Sequence, residues 1–344
     1  MIAVSGGGTG GHFFPALAFT NYVLKKEKVK FIGSKRGIEY ELKDLIKTEK
    51  LFLDVEPLRE RNFYQKLKAI WKFLKAQEEI NEFLKEDYRA LIFGGYASLP
   101  LGINTVLRRK ELFIHEQNSI PSKTNKILSK KAKKVLITFN YTKRFFPEGV
   151  RVGLPIRKEL KKKLPKKEVK KRFGLEPDKI TVLIFGGSQG ALFLNELARD
   201  LKSVLPKEFQ VILLTGKIHY EKFKNLEGEK FRVMPFSLDM GLIYSASDVA
   251  ISRAGAGTIN ELSHFGVPSV FVPYPYAVDD HQFYNAKEIE KLGGGLVLRQ
   301  EEAKPDKVLS ALKEIVKNLE RYSENIKKFF AEGAEERMYE ELLG

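Results

Sequence analysis

The sequence predicts an α/β protein of two domains, each built on a parallel sheet with helices on both faces. Short β-rich runs alternate with helical segments almost throughout the chain, an order typical of parallel sheets covered on both sides. The runs fall into two series, which together hold too many strands for one ordinary sheet. The length of 344 residues agrees with this division, because a domain averages about 150 residues.

Each half of the chain contains six runs that we predict as strands, separated mostly by segments of helical periodicity or helix-forming composition. In the first half they are Ile2–Val4, Val29–Ile32, Leu51–Asp54, Leu91–Phe93, Leu112–Ile114 and Val135–Thr138. In the second half they are Thr181–Phe185, Val211–Leu214, Phe231–Val233, Val249–Ser252, Ser269–Val272 and Gly295–Leu298.

The predicted domain boundary lies at Val152-Gly153-Leu154-Pro155, where glycine and proline interrupt the pattern. This gives an N-terminal domain of residues 1–153 and a C-terminal domain of residues 154–344. A charged run from Arg157 to Arg172 follows the boundary and is typical either of a nucleic-acid patch or of a solvated helix. Apolar residues such as Leu160 and Val169 interrupt the run, which favours the surface helix.

Composition excludes several kinds of site. The chain has no cysteine, so it has no disulfide framework, cysteine nucleophile, thiolate zinc site or iron–sulfur cluster. The net charge of +16 predicts a positive field that attracts phosphates, nucleic acid or an anionic membrane. No apolar run reaches the roughly 18 residues of a spanning helix. Because Met1-Ile2-Ala3-Val4 is predicted as a strand, we expect no signal peptide and a cytoplasmic protein.

Glycine loops follow the first predicted strand of each half, at Gly6–Gly11 and Gly186–Gly190. In doubly wound folds this turn holds a ligand phosphate against a helix N-terminus, so two anionic ligands are predicted. The first loop formally satisfies the G-x-G-x-x-G fingerprint of a dinucleotide-binding oxidoreductase. The second strand has no acid at its tip to bind a ribose, but Lys35 and Arg36 there could bind the extra phosphate of NADP. That alternative stays open.

Further polar clusters follow other predicted strands, at the sheet edge where open α/β folds bind ligands. In the first half they are Gly94-Gly95-Tyr96 and His115-Glu116-Gln117-Asn118. In the second half Ser252-Arg253-Ala254-Gly255-Ala256 leads into a helix that contains Glu261, and Gln282 begins the helix after the next strand. A carboxylate in the position of Glu261 can accept both hydroxyls of a ribose.

With these motifs the sequence resembles the MurG family, the UDP-N-acetylglucosamine:lipid I N-acetylglucosaminyltransferases of peptidoglycan synthesis. The motifs occur in the family's order and approximate spacing over nearly the whole chain. The resemblance implies a GT-B architecture, with two Rossmann-like domains whose parallel sheets face a central cleft. It also implies that the last helix packs back toward the N-terminal domain.

The resemblance implies inverting transfer of N-acetylglucosamine from UDP-GlcNAc to the muramoyl 4-hydroxyl of an undecaprenyl-diphosphate-linked pentapeptide. Acceptor contacts are expected at Gly94, Gly95 and Tyr96. UDP-GlcNAc contacts are expected at Thr9, Gly10, Gly11, Asn118, Arg157, Ser188, Leu238, Ala256, Gly257, Thr258, Ile259, Asn260, Glu261 and Gln282. Another GT-B enzyme that moves a UDP-sugar to a lipid acceptor, and a NADP-dependent oxidoreductase, are the alternative functions.

Inverting transfer needs a base for the acceptor hydroxyl, and His12 and Glu116 are the candidates in the N-terminal half. We expect no cofactor and no catalytic metal, because the adjacent carboxylates of Asp279 and Asp280 diverge on a regular element. Helix N-termini can instead stabilise the leaving diphosphate.

A membrane partner is expected because the acceptor is a lipid. The segment Phe63–Lys75 mixes aromatic and aliphatic residues with lysine at helical spacing, a pattern typical of a helix in an anionic bilayer interface. The alternative is an ordinary core stripe with a solvated lysine face. The resemblance places the protein peripherally on the cytoplasmic face of the bacterial plasma membrane, with no nucleic-acid partner.

Overall fold

All twelve predicted strands form, and each half of the chain builds its own parallel sheet. The computed structural model describes residues 1–56, 63–187, 190–237 and 239–344, with the backbone alone for residues 63–67 and 161. Contacts divide the chain into two units: residues 1–157 together with 331–344, and residues 158–330. The predicted α/β fold class with two parallel sheets is confirmed.

The sheet of the first unit contains seven parallel strands in the order β3-β2-β1-β4-β5-β6-β7. These strands are β1 (Ile2–Ser5), β2 (Val29–Ser34), β3 (Glu49–Leu53), β4 (Arg89–Ile92), β5 (Leu112–Glu116), β6 (Lys134–Ile137) and β7 (Val150–Arg151). The sequence did not predict β7. A two-residue strand has no hydrophobic run of its own, and its pairing with Leu136 and Ile137 of β6 places it in the sheet.

Helices cover both faces of this sheet because its central strands are apolar on both sides. The helices are α1 (Gly10–Val23), α2 (Ile38–Glu41), α3 (Phe63–Phe83), α4 (Leu99–Leu107) and α5 (Lys123–Leu128). Ile2 and Val4 of β1 pack in the cluster that contains Phe13 of α1, whereas Ala3 packs in the cluster that contains Ile80 of α3. Alternate residues of one strand thus fill two cores, as the two-residue period of a strand requires.

The second unit repeats the plan with six parallel strands in the order β10-β9-β8-β11-β12-β13. The strands are β8 (Ile180–Phe185), β9 (Phe209–Leu214), β10 (Phe231–Met234), β11 (Val249–Ser252), β12 (Ser269–Phe271) and β13 (Gly295–Val297). The helices are α6 (Lys166–Arg172), α7 (Leu192–Leu201), α8 (Tyr220–Phe223), α9 (Met240–Ala246), α10 (Ala256–Phe265), α11 (His281–Lys291), α12 (Pro305–Lys317) and α13 (Leu319–Lys327). In each sheet the strand order reverses beside the first strand, where such folds bind ligands.

The charged run after the boundary is partly buried, which differs from the predicted solvated helix. Lys170 of α6 is almost fully buried, and its ammonium donates to Asp248 Oδ2 at 2.6 Å and to the Lys179 carbonyl at 2.7 Å. Lys166 binds the other oxygen of Asp248 at 2.8 Å. These lysines attach α6 to the sheet of its own unit, because a buried ammonium needs a charged partner.

The last helix, α14 (Ala334–Leu343), belongs to the first unit. Met338 and Leu342 are buried in the same cluster as residues of α1, and the Arg337 guanidinium donates to the Val152 carbonyl at 3.0 and 3.2 Å. The first segment of that unit extends to Arg157, four residues beyond the sequence boundary. The Arg157 guanidinium lies 5.1 Å from the centre of the Phe14 ring of α1, a cation–π contact within the first unit.

Candidate active site

Three predicted loops of the first unit meet at the carboxyl edge of β1, β4 and β5. A Cβ atom on Gly95 would lie 2.9 Å from the Gly7 carbonyl oxygen and 3.1 Å from Cδ2 of His12. A Cβ atom on Gly8 would lie 2.7 Å from the Tyr96 ring. Gly8 and Gly95 also have φ values of +83° and +77°, so both space and backbone conformation require glycine.

A carboxylate that the sequence analysis overlooked organises the first glycine loop. Glu39 is fully buried and accepts hydrogen bonds from the backbone N–H of Gly8 at 2.8 Å and of Ser34 at 2.9 Å. Gly7, Gly33 and Gly37 all pack against its side chain. The dinucleotide fingerprint needs an acid at the tip of β2 as a ribose ligand, whereas Glu39 lies five residues after Ser34 and binds the protein's own loop. The signal was an acid two residues after Gly37, in the short helix that follows β2.

This loop leads into the start of α1. Thr9 precedes the helix in an extended conformation, and its carbonyl accepts from the N–H groups of His12 and Phe13. Gly10 and Gly11 occupy the first turn, whose N–H groups have no intrahelical acceptors. This end of the helix is electropositive and suits a phosphate or a polar sugar group.

His12 lies half-buried at the centre of the three loops. Its Nδ1 atom is 2.8 Å from the Phe93 carbonyl oxygen and 2.9 Å from Oε1 of Gln117. Because both partners are acceptors, Nδ1 carries the proton and the neutral ring has its lone pair on Nε2. The ring can therefore accept a proton from a hydroxyl group near Nε2.

The other candidate base, Glu116, does not have the geometry of a base. Its side chain is fully buried, and its oxygens accept from the backbone N–H of Asn118 and of Ser122, each at 3.0 Å, and from Nδ2 of Asn125 at 2.8 Å. Burial raises the pKa of the Glu116 carboxyl, while these three donors act in the opposite direction. Glu116 holds the loop that presents Asn118, and an acceptor hydroxyl has no access to it. A catalytic role for Glu116 stays a prediction, and its burial and three bonds favour a structural role instead.

In the second unit, Glu261 lies on α10 with its carboxylate half-buried. The hydroxyl of Tyr244, a buried residue of α9, donates to Oε2 of Glu261 at 2.7 Å. The bond holds the carboxylate in one rotamer beside the carboxyl edge of β11. A carboxylate held in this way can accept hydrogen bonds from two neighbouring hydroxyl groups.

The expected contacts along the start of α10 divide into two groups. Gly255 precedes the helix without a side-chain cap, so the N–H groups of Ala256, Gly257 and Thr258 are those that the helix itself leaves unpaired. By contrast, the N–H of Ile259 donates to the Gly255 carbonyl at 3.0 Å. The side chains of Ile259 and Asn260 are also buried. The expectation that these two residues contact the ligand is therefore not supported, because the helix turns their side chains into the core.

The amide oxygen of Gln282 is bonded within the protein. Its Oε1 atom accepts from the backbone N–H of Ala254 at 3.2 Å and of Tyr274 at 3.0 Å. These bonds assign oxygen and nitrogen, so the side chain offers N–H donors through Nε2. A sugar hydroxyl or carbonyl oxygen is the complementary group.

Arg253 supports the two backbone segments that bind Gln282. Its guanidinium is largely buried and donates to the carbonyl oxygens of Val272 and Pro273, each at 3.0 Å, and to Oε1 of Gln300 at 2.6 Å. Burial lowers its pKa to about 10, which still leaves the group protonated at neutral pH. Arg253 joins the ends of β11 and β12 on either side of Gln282, a role that its position in a short motif did not indicate.

The segment before α11 has an unusual backbone. Asp279 and Asp280 adopt φ values of +53° and +54°, the left-handed region that non-glycine residues rarely occupy. Oδ2 of Asp280 binds the Arg299 guanidinium at 2.9 Å. Among the residues that the structure describes, no group of three or more His, Cys, Asp or Glu side chains could hold a metal ion.

Two expected contacts, Ser188 and Leu238, lie outside the described residues. On either side of Ser188, Gly187 and Gly190 have φ values of +87° and +75°. A side chain on Gly190 would collide with the Thr215 carbonyl oxygen of the neighbouring β9 loop. The flanks of this loop therefore require glycine, as the motif predicts. Arg157, also expected at the nucleotide, contacts Phe14 as described above.

Two family models match the chain. The glycosyltransferase family 28 N-terminal domain matches residues 2–137, and the C-terminal domain of the same family matches residues 181–339. The two matches fall on the two parallel sheets and on the loops described above.

Curated relatives match at full length. A protein of Sulfurihydrogenibium sp. (strain YO3AOP1) is 36% identical over 99% of this chain and 97% of its own. One of Bacillus subtilis (strain 168) is 34% identical over 99% of this chain and 98% of its own. Both are named UDP-N-acetylglucosamine--N-acetylmuramyl-(pentapeptide) pyrophosphoryl-undecaprenol N-acetylglucosamine transferase.

Solved structures agree with these relatives. MurG of Acinetobacter baumannii superposes with a TM-score of 0.79 at 27% identity, covering 99% of this chain and 98% of that one. A UDP-glucosyltransferase of Polygonum tinctorium has a TM-score of 0.70 at 14% identity, covering 99% and 97% of the two chains, and this likeness concerns the fold alone.

Proposed function

Because the chain belongs to glycosyltransferase family 28, in the group of its MurG relatives, we propose that it makes the lipid-linked disaccharide of peptidoglycan. The reaction transfers N-acetylglucosamine from UDP-GlcNAc to the 4-hydroxyl of undecaprenyl-diphospho-N-acetylmuramoyl pentapeptide. It inverts the anomeric centre, since the acceptor hydroxyl attacks from the side opposite the departing UDP.

The observation that carries the donor assignment is the carboxylate of Glu261, held by Tyr244 beside the uncapped start of α10. A nucleoside diphosphate sugar needs acceptors for the ribose hydroxyls and donors for the diphosphate, and this edge of the second unit offers both. Gln282 adds N–H donors for the sugar. We therefore assign the uridine nucleotide to the second unit.

The acceptor chemistry belongs to the first unit. The Nε2 lone pair of His12 takes the proton of the muramoyl 4-hydroxyl as the new bond forms at the anomeric carbon. The bond from that carbon to the UDP oxygen breaks at the same time, and UDP leaves with the electron pair. The Gly94-Gly95-Tyr96 turn and the start of α1 lie beside His12 and are assigned to the acceptor and its surroundings.

Helix α3 supports association with a membrane surface. Ala69, Ala76 and Ile80 form its buried side, whereas Ile70, Trp71 and Leu74 are 56%, 63% and 59% exposed. The exposed apolar residues are therefore not a core stripe, and they make a face that suits the bilayer interface. Among the described residues, no helix combines the length and apolarity needed to cross a membrane.

The lysines of α3 differ in whether acidic side chains already pair them. Lys72 binds Asp54 at 2.8 Å and Glu56 at 2.7 Å, so its charge is already paired. Lys68 and Lys75 are exposed, and the Lys75 ammonium lies 5.8 Å from the centre of the Trp71 ring. We assign the attraction for anionic lipid to Lys68 and Lys75, and we place the protein peripherally on the cytoplasmic face of the plasma membrane.

The test is a transfer assay with the purified chain, radiolabelled UDP-GlcNAc and a short-chain lipid I analogue, run with and without a chelator. The expected product is a β-linked disaccharide, identified by NMR, whose yield is unchanged by the chelator. UDP-glucose and NADPH are the comparison ligands in a thermal-shift series. Stabilisation by NADPH and not by UDP-GlcNAc, with no transfer, would overturn the proposal in favour of an oxidoreductase.

A further inference from the structure

Four groups of the first unit form one continuous chain of hydrogen bonds. His12 Nδ1 is 2.9 Å from Oε1 of Gln117, and Nε2 of Gln117 is 3.1 Å from Nδ1 of His115. His115 Nε2 in turn lies 2.8 Å from the Gly153 carbonyl oxygen. The chain runs from the half-buried His12 through two buried side chains to the backbone that precedes the crossing into the second unit.

Backbone carbonyls at both ends determine which atom donates in each hydrogen bond of this chain. The Gly153 oxygen can only accept, so His115 carries its proton on Nε2 and has its lone pair on Nδ1. The Gln117 amide must then donate to His115 through Nε2, and its second contact, with the His115 carbonyl at 3.2 Å, agrees. Oε1 of Gln117 is thereby turned toward His12, where it accepts the Nδ1 proton beside the Phe93 carbonyl.

The geometry points to a positioning role for Gln117 and His115: together they hold His12 in the tautomer and ring orientation that leave Nε2 as the proton acceptor. This inference rests on the proposed function of His12. The two histidines, joined through one glutamine, have opposite tautomers, His12 protonated on Nδ1 and His115 on Nε2. A reversed amide at Gln117 would place an N–H against the N–H of His12.

Burial keeps His115, near the far end of the hydrogen-bond chain, neutral. His115 is fully buried, and desolvation lowers its pKa to about 4. A neutral His115 retains the lone pair that the Gln117 amide needs as its acceptor. The donor and acceptor pattern of the chain therefore persists over the neutral pH range. Groups that orient a catalytic histidine in this way affect turnover strongly, because they exclude the wrong tautomer.

Nitrogen NMR of the protein, labelled on its histidines, tests the two tautomers directly. The sequence has only five histidines, so the signals are few. At pH 7 we expect the His12 signals to show protonated Nδ1 and those of His115 to show protonated Nε2, with assignment by single His→Gln variants. Finding Nε2 protonated in His12, or the same tautomer in both rings, would overturn the inference.

Gln117→Leu tests the consequence for turnover. It removes one acceptor from His12 and the donor to His115, so kcat is expected to fall about tenfold or more while KM for UDP-GlcNAc stays within about twofold. The matched control is Gln210→Leu, which removes an equally buried and fully bonded glutamine of the second unit. Equal kcat values in the two variants would refute the positioning role.

Gln117→Glu serves if the leucine variant does not fold. Glutamate has nearly the same size and keeps an acceptor toward His12, but it presents no N–H to His115. The His115 nitrogen signals are expected to change while the Nδ1 proton of His12 persists. Unchanged signals of His115 would contradict the direction of the chain. If His12→Ala itself retains full turnover, the proposed base is wrong, and that result is distinct from any failure of the tautomer assignment.

Discussion

The Tyr244 hydroxyl donates a 2.7 Å hydrogen bond to Oε2 of Glu261, and this bond connects two helices of the second unit at the candidate ribose site. Tyr244 is almost fully buried, so its ring is held by packing and cannot follow the carboxylate if Glu261 moves. The same principle recurs in the first unit, where Gln117 holds His12 and Glu116 holds the loop of Asn118. Functional groups at these edges are each held by a buried neighbour.

We expect Tyr244→Phe to weaken UDP-GlcNAc binding about tenfold, because the Glu261 carboxylate is then no longer held in place and must be ordered when the ribose binds. Glu261→Ala should weaken binding about a hundredfold or more, because two bonds from the ribose to a charged acceptor, each worth about 1.5–3 kcal/mol, are lost. Titration calorimetry with UDP-GlcNAc measures both. Equal affinity of Tyr244→Phe and the unaltered chain would show that Glu261 is positioned without the Tyr244 bond.

His12→Ala is expected to lower kcat about 100- to 10,000-fold, the usual contribution of a positioned general base. UDP-GlcNAc affinity should change little, since the nucleotide groups are assigned to the second unit. Steady-state rates and calorimetry on the same preparation separate the two effects. A variant that turns over normally but no longer binds UDP would reverse our assignment of donor and acceptor groups.

Glu116→Gln should destabilise the first unit rather than act on the chemical step. The new amide N–H faces N–H donors that the carboxylate accepted, and each buried group left unpaired costs about 1–3 kcal/mol. Chemical unfolding should therefore show a loss of stability, with turnover reduced in part through the loop that presents Asn118. Complete loss of turnover in a fully stable variant would instead restore Glu116 as the base.

Low pH should destabilise the folded protein through protonation of His115. The pKa of its ring is lowered from 6.5 to about 4 in the folded protein, so between these values the unfolded chain binds the extra proton. Stability then falls as pH drops from about 6.5 to about 4, by up to roughly 3 kcal/mol for this one group. Urea unfolding at several pH values should show a shallower dependence in His115→Gln. An identical slope in the variant would mean that other groups cause the acid sensitivity.

Trp71→Ala should weaken sedimentation with phosphatidylglycerol vesicles, because the exposed indole of α3 is lost from the bilayer interface. Lys68→Gln together with Lys75→Gln should reduce the dependence of binding on salt. Ile218→Ala is the matched control, since Ile218 is an exposed apolar residue of the second unit. Binding that is insensitive to both salt and Trp71 would exclude α3 as the membrane face.

Much of the fold could be predicted because the relevant signals are local. Strands such as Ile2–Ser5 are continuous apolar runs, and alternation of such runs with helices leaves few topologies other than a parallel sheet. The glycine loops could be placed for the same reason, since Gly8 and Gly95 must adopt positive φ. Each of these features depends on a few consecutive residues.

The roles of individual polar side chains depended on burial and on hydrogen-bond partners, which hydrophobic periodicity does not reveal. Glu116 looked like a base until burial and three N–H donors made it a loop support. The lysines of Phe63–Lys75 look alike in the sequence, but Asp54 and Glu56 pair Lys72 in the folded chain.

By itself, then, the sequence determined the two α/β units, their strand order along the chain and the sheet edges that carry the glycine loops and polar clusters, because hydrophobic periodicity and backbone conformation are local properties. The tertiary structure alone decided which polar groups at those edges face a ligand. Glu39 and Gly8 are 31 residues apart, and His12 and Gln117 are 105 residues apart. Hydrogen bonds over such separations exist only after the chain folds, and the free energy of burying a charge then determines what each group can do.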